Sequence, residues 1–303
     1  MSTQPVITIV IVGGVAGGAS AATRARRMNE HAEIILLEKD EYVSFANCGL
    51  PYYLGGEIAE RQKLLVATPQ FLARRFRIDV RTRQEAQSID RAAKKVTVLN
   101  HASGETYPLA YDKLILAPGA SPLVPPLPGR DAARVFTLRN MADTDCIKAA
   151  ADACSSKRAV VVGSGYIGLE MVEQLVRQGF QVALAELQPQ VLPLMDAEIA
   201  QPLEDALRRH GVTVYLGDGI KRILTDEHNA AVGIELQSGQ AVQADLVILG
   251  LGVRPNLTLA EQAGLTIGSG GGIAANEYQQ TNDPDIYAVG DACEYVFGPT
   301  GQP

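Results

Sequence analysis

One cysteine stands in Ser44-Phe45-Ala46-Asn47-Cys48-Gly49-Leu50-Pro51-Tyr52-Tyr53-Leu54-Gly55-Gly56, and the next in the chain is Cys146. A thiol acts on other sulfur atoms as its thiolate, by nucleophilic attack on a sulfur–sulfur bond. Its neighbours Ser44, Asn47 and Gly49 are small or polar, unlike a core strand. Asn47 is a favoured helix N-cap type, which predicts Cys48 in a first helical turn, where the positive end of the helix favours the anion. Pro51 fits such a first turn and not a helix interior. The competing reading is a small buried hydrophobe, the commonest state of a free cysteine. Cys146 and Cys154 lie on an Ala-rich helical pattern and Cys293 in a short turn, so structural roles are expected for these three. The irregular spacing of the four cysteines makes neither a metal site nor a secreted disulfide framework, which predicts free thiols in a reducing, cytoplasmic setting.

Two glycine-rich turns point to nucleotides. Gly163-Ser164-Gly165-Tyr166-Ile167-Gly168 is a full GxGxxG between a strand pattern and a helix pattern. Glycines there let the backbone approach a pyrophosphate, and the helix directs its first N–H groups at the anion. Glu186 closes the following strand, where a carboxylate accepts both hydroxyls of a ribose. Leu187-Gln188-Pro189-Gln190 contains no Arg or Lys for a 2′-phosphate, which favours NADH over NADPH. The other turn, Gly13-Gly14-Val15-Ala16-Gly17-Gly18, departs from the motif at Val15, and Glu38 closes its second strand.

Strands and helices must hold these residues in place. Val6–Val12 is β-rich without alternation, as in a strand buried on both faces, and a helical pattern over Ala19–Asn29 and the strand Glu33–Glu38 complete a βαβ unit. Pro69–Phe76 predicts a short helix, Lys95–Leu99 and Thr106–Leu109 a small antiparallel element, and Asp112–Ala117 a buried strand. Pro118–Gly129 is rich in Pro and Gly and reads as a crossover between domains. Then the theme repeats: strand Arg158–Val162, glycine turn, helix Leu169–Gln178, strand Gln181–Glu186. Two copies of one unit imply two nucleotides. A helix over Ala197–Arg209, a β-meander over Ala231–Ile248 and a strand over Asp285–Val289 follow. A length of 303 residues allows two domains, and a net charge of −7 argues against nucleic acid as a partner. Val6 to Ala22 carries no charge, yet no basic region precedes it and glycines interrupt it. Strand, turn and helix are expected there, and no membrane span or signal peptide.

Taken in order, the first βαβ unit, Leu116-Ala117-Pro118-Gly119-Ala120, the second glycine turn and Thr281–Ala292 (TNDPDIYAVGDA) resemble the FAD-dependent pyridine nucleotide–disulfide oxidoreductases over essentially the whole chain. The resemblance implies an α/β fold of two Rossmann-like, three-layer domains. An NAD(P)H domain with its linker (121–279) would be inserted in a discontinuous FAD domain (1–120 plus 280–303). It implies FAD at Gly13, Gly14, Gly17, Gly18, Glu38, Lys39, Gly119 and Asp291, and NADH at Gly163, Gly165, Tyr166, Ile167, Gly168, Glu186 and Gly252.

The thiol segment sorts the branch. Glutathione-reductase-like members carry CxxxxC, and the matching position after Cys48 is Tyr53, so that internal disulfide is excluded. The segment looks like the single-cysteine coenzyme A-disulfide reductases and the similar NADH-dependent persulfide reductases. NADH peroxidases and oxidases usually have Ser before the cysteine and a catalytic His in the first turn, where this chain has Asn47 and Ala16. The resemblance implies that Cys48 cycles between a thiolate and a mixed disulfide with coenzyme A, and that Ser20, Arg24, Arg27, Ser44 and Asn47 line the coenzyme A channel. Guanidinium groups suit its phosphates. Coenzyme A disulfide, coenzyme A or glutathione persulfide and polysulfide all present the same bond and stay open as substrates. Family members continue past Asp291 into a dimerisation domain, so with Pro303 twelve residues on, a chain truncated before that domain, and without the family's homodimer interface, is expected. Other readings are an NADH oxidase or peroxidase, a ferredoxin-reductase-like flavoprotein that does without Cys48, and a non-catalytic FAD-binding fragment. No metal is expected.

Overall fold

The computed structural model describes residues 6–296, Gly298 and Gly301, so the outer domain limits expected at 1 and 303 lie outside the described residues. The chain runs β1 (Thr8–Val12), α1 (Gly17–Met28), β2 (Glu33–Glu38), α2 (Leu50–Leu54), α3 (Pro69–Phe76), β3 (Asp79–Thr82), β4 (Gln84–Asp90), β5 (Lys95–Asn100), β6 (Thr106–Ala110), β7 (Lys113–Leu116) and β8 (Ala120–Pro122). It continues with β9 (Val135–Phe136), α4 (Met141–Ala153), β10 (Arg158–Val162), α5 (Tyr166–Arg177), β11 (Gln181–Ala185), α6 (Ala197–Arg209), β12 (Thr213–Tyr215), β13 (Ile220–Thr225), β14 (Ala231–Leu236), β15 (Ala241–Gln243) and β16 (Leu246–Leu249). Last come β17 (Val253–Pro255), α7 (Thr258–Gln262), β18 (Ile273–Ala274), β19 (Ile286–Ala288) and β20 (Cys293–Glu294). Two compact units result: Met1–Phe45, Leu65–Ser121 and Pro255–Pro303 form the first, Ala46–Leu64 and Pro122–Arg254 the second.

The first unit is built on a sheet of order β19-β7-β1-β2-β3. All its pairings are parallel, with Val10 opposite Ile35 and Leu114, and Ala288 opposite Leu116. Alternate residues of each strand point to opposite faces. Ile11, Ile34 and Leu36 bury one face with Ala22 of α1 and Leu72 of α3. Val10, Ile35, Leu37 and Leu114 bury the other with Val96 and Val98 of the antiparallel layer β4-β5-β6. Cover on both faces is why these strands carry no hydrophobic alternation. The expected pair Lys95–Leu99 and Thr106–Leu109 has a third strand, β4, whose sequence QEAQSID buries only Ile89 and so gives no apolar signal.

The second unit repeats the plan. Its sheet has the order β12-β11-β10-β16-β9, again parallel throughout, with β13-β14-β15 as the antiparallel cover. The expected meander over Ala231–Ile248 is corrected here. Its first part pairs antiparallel with β13, but β16 leaves it and lies parallel to β10, Val160 opposite Val247. Leu-Val-Ile-Leu is buried at all four positions, which suits a sheet interior and not an edge meander.

The expected domain boundaries also shift. Residues 255–279, expected in the second domain, belong to the first: Ala260, Leu265 and Ile273 are buried in one core with Val10 and Leu114. Residues 46–64, expected in the first domain, belong to the second, because α2 packs on α4 and α5. In both sheets the first strand has its successor on one side and a late strand on the other, β2 and β7 beside β1, β11 and β16 beside β10. Open α/β sheets bind ligands at the carboxyl ends of the strands where the strand order reverses in this way. Among the described residues no helix is long and apolar enough to cross a membrane.

An ionic cluster secures the segment before β19. Lys113 Nζ donates to Asp285 at 2.6 Å, Lys94 pairs with it at 2.5 Å, and Arg91 pairs with Asp283 at 2.7 Å. The hydrogen bonds from Lys113 and Lys94 hold the Asp285 carboxyl below its ordinary range. A depressed carboxyl contributes stability above its unfolded pKa and loses it as pH falls through the folded value. Asp285→Asn is therefore expected to lower the thermal midpoint at pH 7, and the gap to the wild type to close below about pH 4. Thermal unfolding across pH checks this; a gap of equal size at pH 7 and pH 3 counts against the ion pairs as its source.

Candidate active site

The first glycine turn links β1 to α1. Gly13 has φ +97°, and a Cβ on it would lie 2.0 Å from the Ala117 carbonyl oxygen. A Cβ on Gly18 would lie 1.8 Å from the Gly13 carbonyl oxygen. Both glycines are thus required by the chain's own close approach. Gly14 N–H donates to Glu38 Oε2 at 2.8 Å and Asp40 N–H to Glu38 Oε1 at 2.9 Å. Glu38 is 6% exposed. Burial raises its pKa against the pull of the two amides. Gly17 lies against Val289 and the Gly290 amide, so β19 delivers Gly290 and the exposed Asp291 to the same sheet edge. Gly119 follows β7 there with φ +66°, and Lys39 is exposed beside Glu38. Val289 and Gly290 were not singled out in the sequence; their place beside Gly17 depends on the pairing of β19 with β7.

The second turn is the same device. Gly163 has φ +99°, its Cβ would meet the Gly250 carbonyl oxygen at 2.3 Å, and a Cβ on Gly168 would meet the Gly163 carbonyl oxygen at 2.0 Å. Above Gly165 nothing lies within 4 Å, so the space over the start of α5 is open. Tyr166 and Ile167 are exposed in the first turn of α5, and Gly252, φ +97°, follows β16 with its carbonyl accepting from Leu123 N–H at 2.9 Å and open space where a Cβ would stand. Glu186, 8% exposed, accepts from Ser164 N–H at 2.8 Å, Ser164 Oγ at 2.7 Å and Gln188 N–H at 2.8 Å. Each turn therefore sets backbone amides at a helix start beside a carboxylate, a set of groups that fits the pyrophosphate and ribose of a dinucleotide.

Cys48 is exposed. It sits in a single 3-10 turn, Asn47–Gly49, that runs directly into α2. The expectation that Asn47 caps a helix is corrected: Ala46 holds the cap position and no side chain caps it. The bend is set at the backbone, where Ala46 N–H donates to the Leu64 carbonyl at 2.8 Å. Asn47 Oδ1 is buried with no hydrogen-bond partner among the described residues. Gly49, Leu50, Pro51 and Leu54 are buried beneath the exposed thiol. A Cβ on Gly49 would meet Leu64 Cδ2 at 2.9 Å.

The α2 helix is gripped from two sides. On α5, Gln174 Nε2 donates to Glu57 at 3.0 Å, Arg177 pairs with the same carboxylate, and Gln178 Nε2 donates to the Gly55 carbonyl at 2.7 Å. On α4, Asp145 takes a bidentate Arg61 at 2.6–3.1 Å, and Lys148 lies 5.7 Å from the Tyr53 ring centre. None of these supports was read from sequence, since polar residues on a helix carry no signal of what they grip; the Gly55-Gly56 pair was the available hint. The charge of Glu170 on α5, then burial, raises the pKa of the Tyr52 hydroxyl.

The remaining expected residues lie in the first unit. Ser20, Arg24 and Arg27 are all exposed and, at i, i+4 and i+7, share one face of α1. Neither arginine has a hydrogen bond or ion pair among the described residues. Arg26, between them, instead closes the helix end by donating to the Phe76, Arg77, Asn29 and Glu30 carbonyls. Ser44 is held left-handed, φ +46°, by an N–H bond to the Gly14 carbonyl and by accepting from Val66 and Ala67.

A family model described as pyridine nucleotide-disulphide oxidoreductase matches residues 7–302. The coenzyme A disulfide reductase of Staphylococcus aureus (strain JH9) is 38% identical over 283 residues, covering 93% of this chain and 63% of that protein. The crystal structure of reduced Bacillus anthracis CoADR-RHD superposes with a TM-score of 0.92 at 48% identity, covering 96% of this chain and 52% of that one. An NAD-dependent persulfide reductase from A. fulgidus superposes with a TM-score of 0.93 at 36% identity, covering 98% and 55%. The chain spans just under two thirds of the length of the curated relative it matches.

The grip of α5 on α2 has a direct consequence. A Cβ on Gly55 would sit 1.6 Å from Gln174 Oε1 of a side chain only 1% exposed, so the buried Gln174 side chain or α2 must move to admit it. Gly55→Ala is expected to cost about 1–3 kcal/mol by overpacking. It should also change the alkylation rate of Cys48 while leaving dinucleotide affinity unchanged. Thermal unfolding, iodoacetamide kinetics and calorimetry check the three; wild-type stability and alkylation would show that α2 does not depend on this contact.

Proposed function

The chain belongs to the pyridine nucleotide-disulphide oxidoreductase family, and from that premise we propose that it takes electrons from NADH through FAD and Cys48 to a sulfur–sulfur bond, that of coenzyme A disulfide or coenzyme A persulfide. The observation that carries this reading is the exposed Cys48 on a buried, firmly held turn, with Tyr53 where a second cysteine would close an internal disulfide. A reactive thiol needs access on one side and fixed support on the other. We assign FAD to the first turn, with Glu38, Lys39, Gly119 and Asp291, and NADH to the second, with Glu186 and Gly252. Flavin bound there supplies two-electron transfer between a nicotinamide and sulfur.

The chain's own residues perform the rest. The Cys48 thiolate attacks one sulfur of the disulfide, forms a Cys48–S–S–R bond and releases one thiolate. Two electrons and a proton then return Cys48 to the thiolate and release the second thiol. Asn47 Oδ1, buried and lacking a donor, suits one of the amide N–H groups of a pantetheine arm, which would satisfy it. Arg24 and Arg27, exposed and uncommitted on one helix face, suit the coenzyme's phosphates. NADH is preferred to NADPH because Leu187-Gln188-Pro189-Gln190 offers no cation to a 2′-phosphate.

Cys48→Ser is expected to abolish anaerobic, disulfide-dependent NADH oxidation while flavin content is retained. The assay compares coenzyme A disulfide with coenzyme A persulfide on the chain with any native extension restored. Normal turnover by the serine variant overturns the mechanism and returns the protein to readings that do not use the thiol. Arg24→Ala combined with Arg27→Ala should raise KM for coenzyme A disulfide roughly ten- to hundredfold, since hydrogen bonds to charged groups are worth about 1.5–3 kcal/mol. A small disulfide without phosphates should be unaffected; parallel loss on both substrates would remove the arginines from phosphate recognition.

A further inference from the structure

The two glycine turns superimpose in logic but not in one atom. In the first turn Glu38 accepts one donor on each oxygen, Gly14 N–H on Oε2 at 2.8 Å and Asp40 N–H on Oε1 at 2.9 Å. In the second, Gln188 N–H takes the Asp40 role on Glu186 Oε1 at 2.8 Å and Ser164 N–H the Gly14 role on Oε2 at 2.8 Å. Ser164 adds a donor that glycine lacks: its Oγ bonds the same Oε2 at 2.7 Å. A carboxylate oxygen has two lone pairs in its plane. Glu38 therefore keeps one on each oxygen, and Glu186 keeps one on Oε1 only. Ser164 is fully buried and Glu186 nearly so, so water does not compete for this arrangement.

We infer that Ser164 sets how tightly the second turn holds its nucleotide, by filling a lone pair of Glu186 whose counterpart on Glu38 stays open to a ribose hydroxyl. This rests on the dinucleotide reading of the second turn. A ribose diol presents two donors. Glu38 can receive both, one on each oxygen; Glu186 can receive one. The turn with the glycine suits a resident cofactor, and the turn with the serine suits a cosubstrate that must leave after each turnover. Ser164 is a positioning residue in this account, since it acts through Glu186 and not on the nucleotide.

The test is calorimetric titration of the full chain with NAD+, ADP-ribose and NADP+, on the wild type, Ser164→Ala and Ser164→Gly. The glycine variant reproduces the first turn, so folding failure of one variant leaves the other. Opening one charge-assisted acceptor is expected to tighten NAD+ and ADP-ribose about tenfold, the low end of what a hydrogen bond to a charged group contributes. NADP+ should gain nothing, because its 2′-phosphate replaces the hydroxyl donor and meets the carboxylate with like charge. Unchanged or weakened binding of NAD+ and ADP-ribose in both variants overturns the inference alone. An equal gain for NADP+ overturns it too, since loosened packing and not the lone pair would then be responsible. Absence of binding by the folded wild type overturns the dinucleotide reading of the turn, and the inference with it.

Discussion

The absence of a Cβ at two backbone positions is the constraint on which both glycine turns depend. Where a side chain would stand on Gly13 and Gly163 there is instead a carbonyl oxygen of the neighbouring segment, from Ala117 in one unit and Gly250 in the other. That contact lets β7 and β16 close on the first strand of each sheet, with backbone bonds from Ala117 N–H to Val12 and from Gly250 N–H to Val162. The carboxylates of Glu38 and Glu186 hold the other side of each turn from the end of the next strand. Gly18 and Gly168 then let the helix start directly over the turn. In the proposed reading each edge that would take an anion is assembled by the chain itself, and a nucleotide would meet donors already in place. Such preorganisation lowers the cost of binding.

The placement of the thiol segment follows from packing and not from chain order. Residues 46–64 leave the unit that precedes and follows them in sequence and pack on α4 and α5 of the second. One helix, α5, thus begins at the open glycine turn and, two turns further on, holds the carboxyl end of α2 through Gln174, Arg177 and Gln178. These three occupy i, i+3 and i+4, a single helix face. In the proposed mechanism the groups that receive the nicotinamide nucleotide and the groups that fix the reactive sulfur are carried on one rigid element.

Much of the frame was legible in the sequence because it is written in local signals. Glu33–Glu38, Pro69–Phe76, Arg158–Val162 and Ala197–Arg209 form with the expected bounds. Short apolar runs, a proline at a helix start and GxGxxG are each decided within a few residues. The failures are of a different kind. β4 is polar on its exposed face, so its strand character depends on its partner β5. β16 reads as the last strand of a meander until the long-range pairing with β10 is known. The boundary at 255–279 is not legible because α7 and β18 bury small apolar surfaces against a core built by strands far earlier in the chain, Val10 and Leu114 among them. At the site, Cys48, the glycines and both closing glutamates were visible. Ser164, Gln174, Gln178 and the Arg61–Asp145 pair were not, since what they do depends on which atom they face.

The single cysteine gains its meaning from what surrounds it. Tyr53 fills the position where a resolving cysteine would stand, and its ring is engaged by Lys148 of α4. Leu50, Pro51 and Leu54 are buried on the side of the turn away from the exposed thiol, and Leu64 Cδ2 leaves no room for a Cβ on Gly49. Beside it, the unpaired Oδ1 of Asn47 is an energetic debt of about 1–3 kcal/mol that a donor from outside the chain would cancel. A thiol held outward, with Tyr53 at the position where two-cysteine members carry their second sulfur, is accessible to the sulfur of a substrate. That geometry favours a mixed disulfide with a substrate that also brings hydrogen-bond donors, and it disfavours a role for Cys48 as packing.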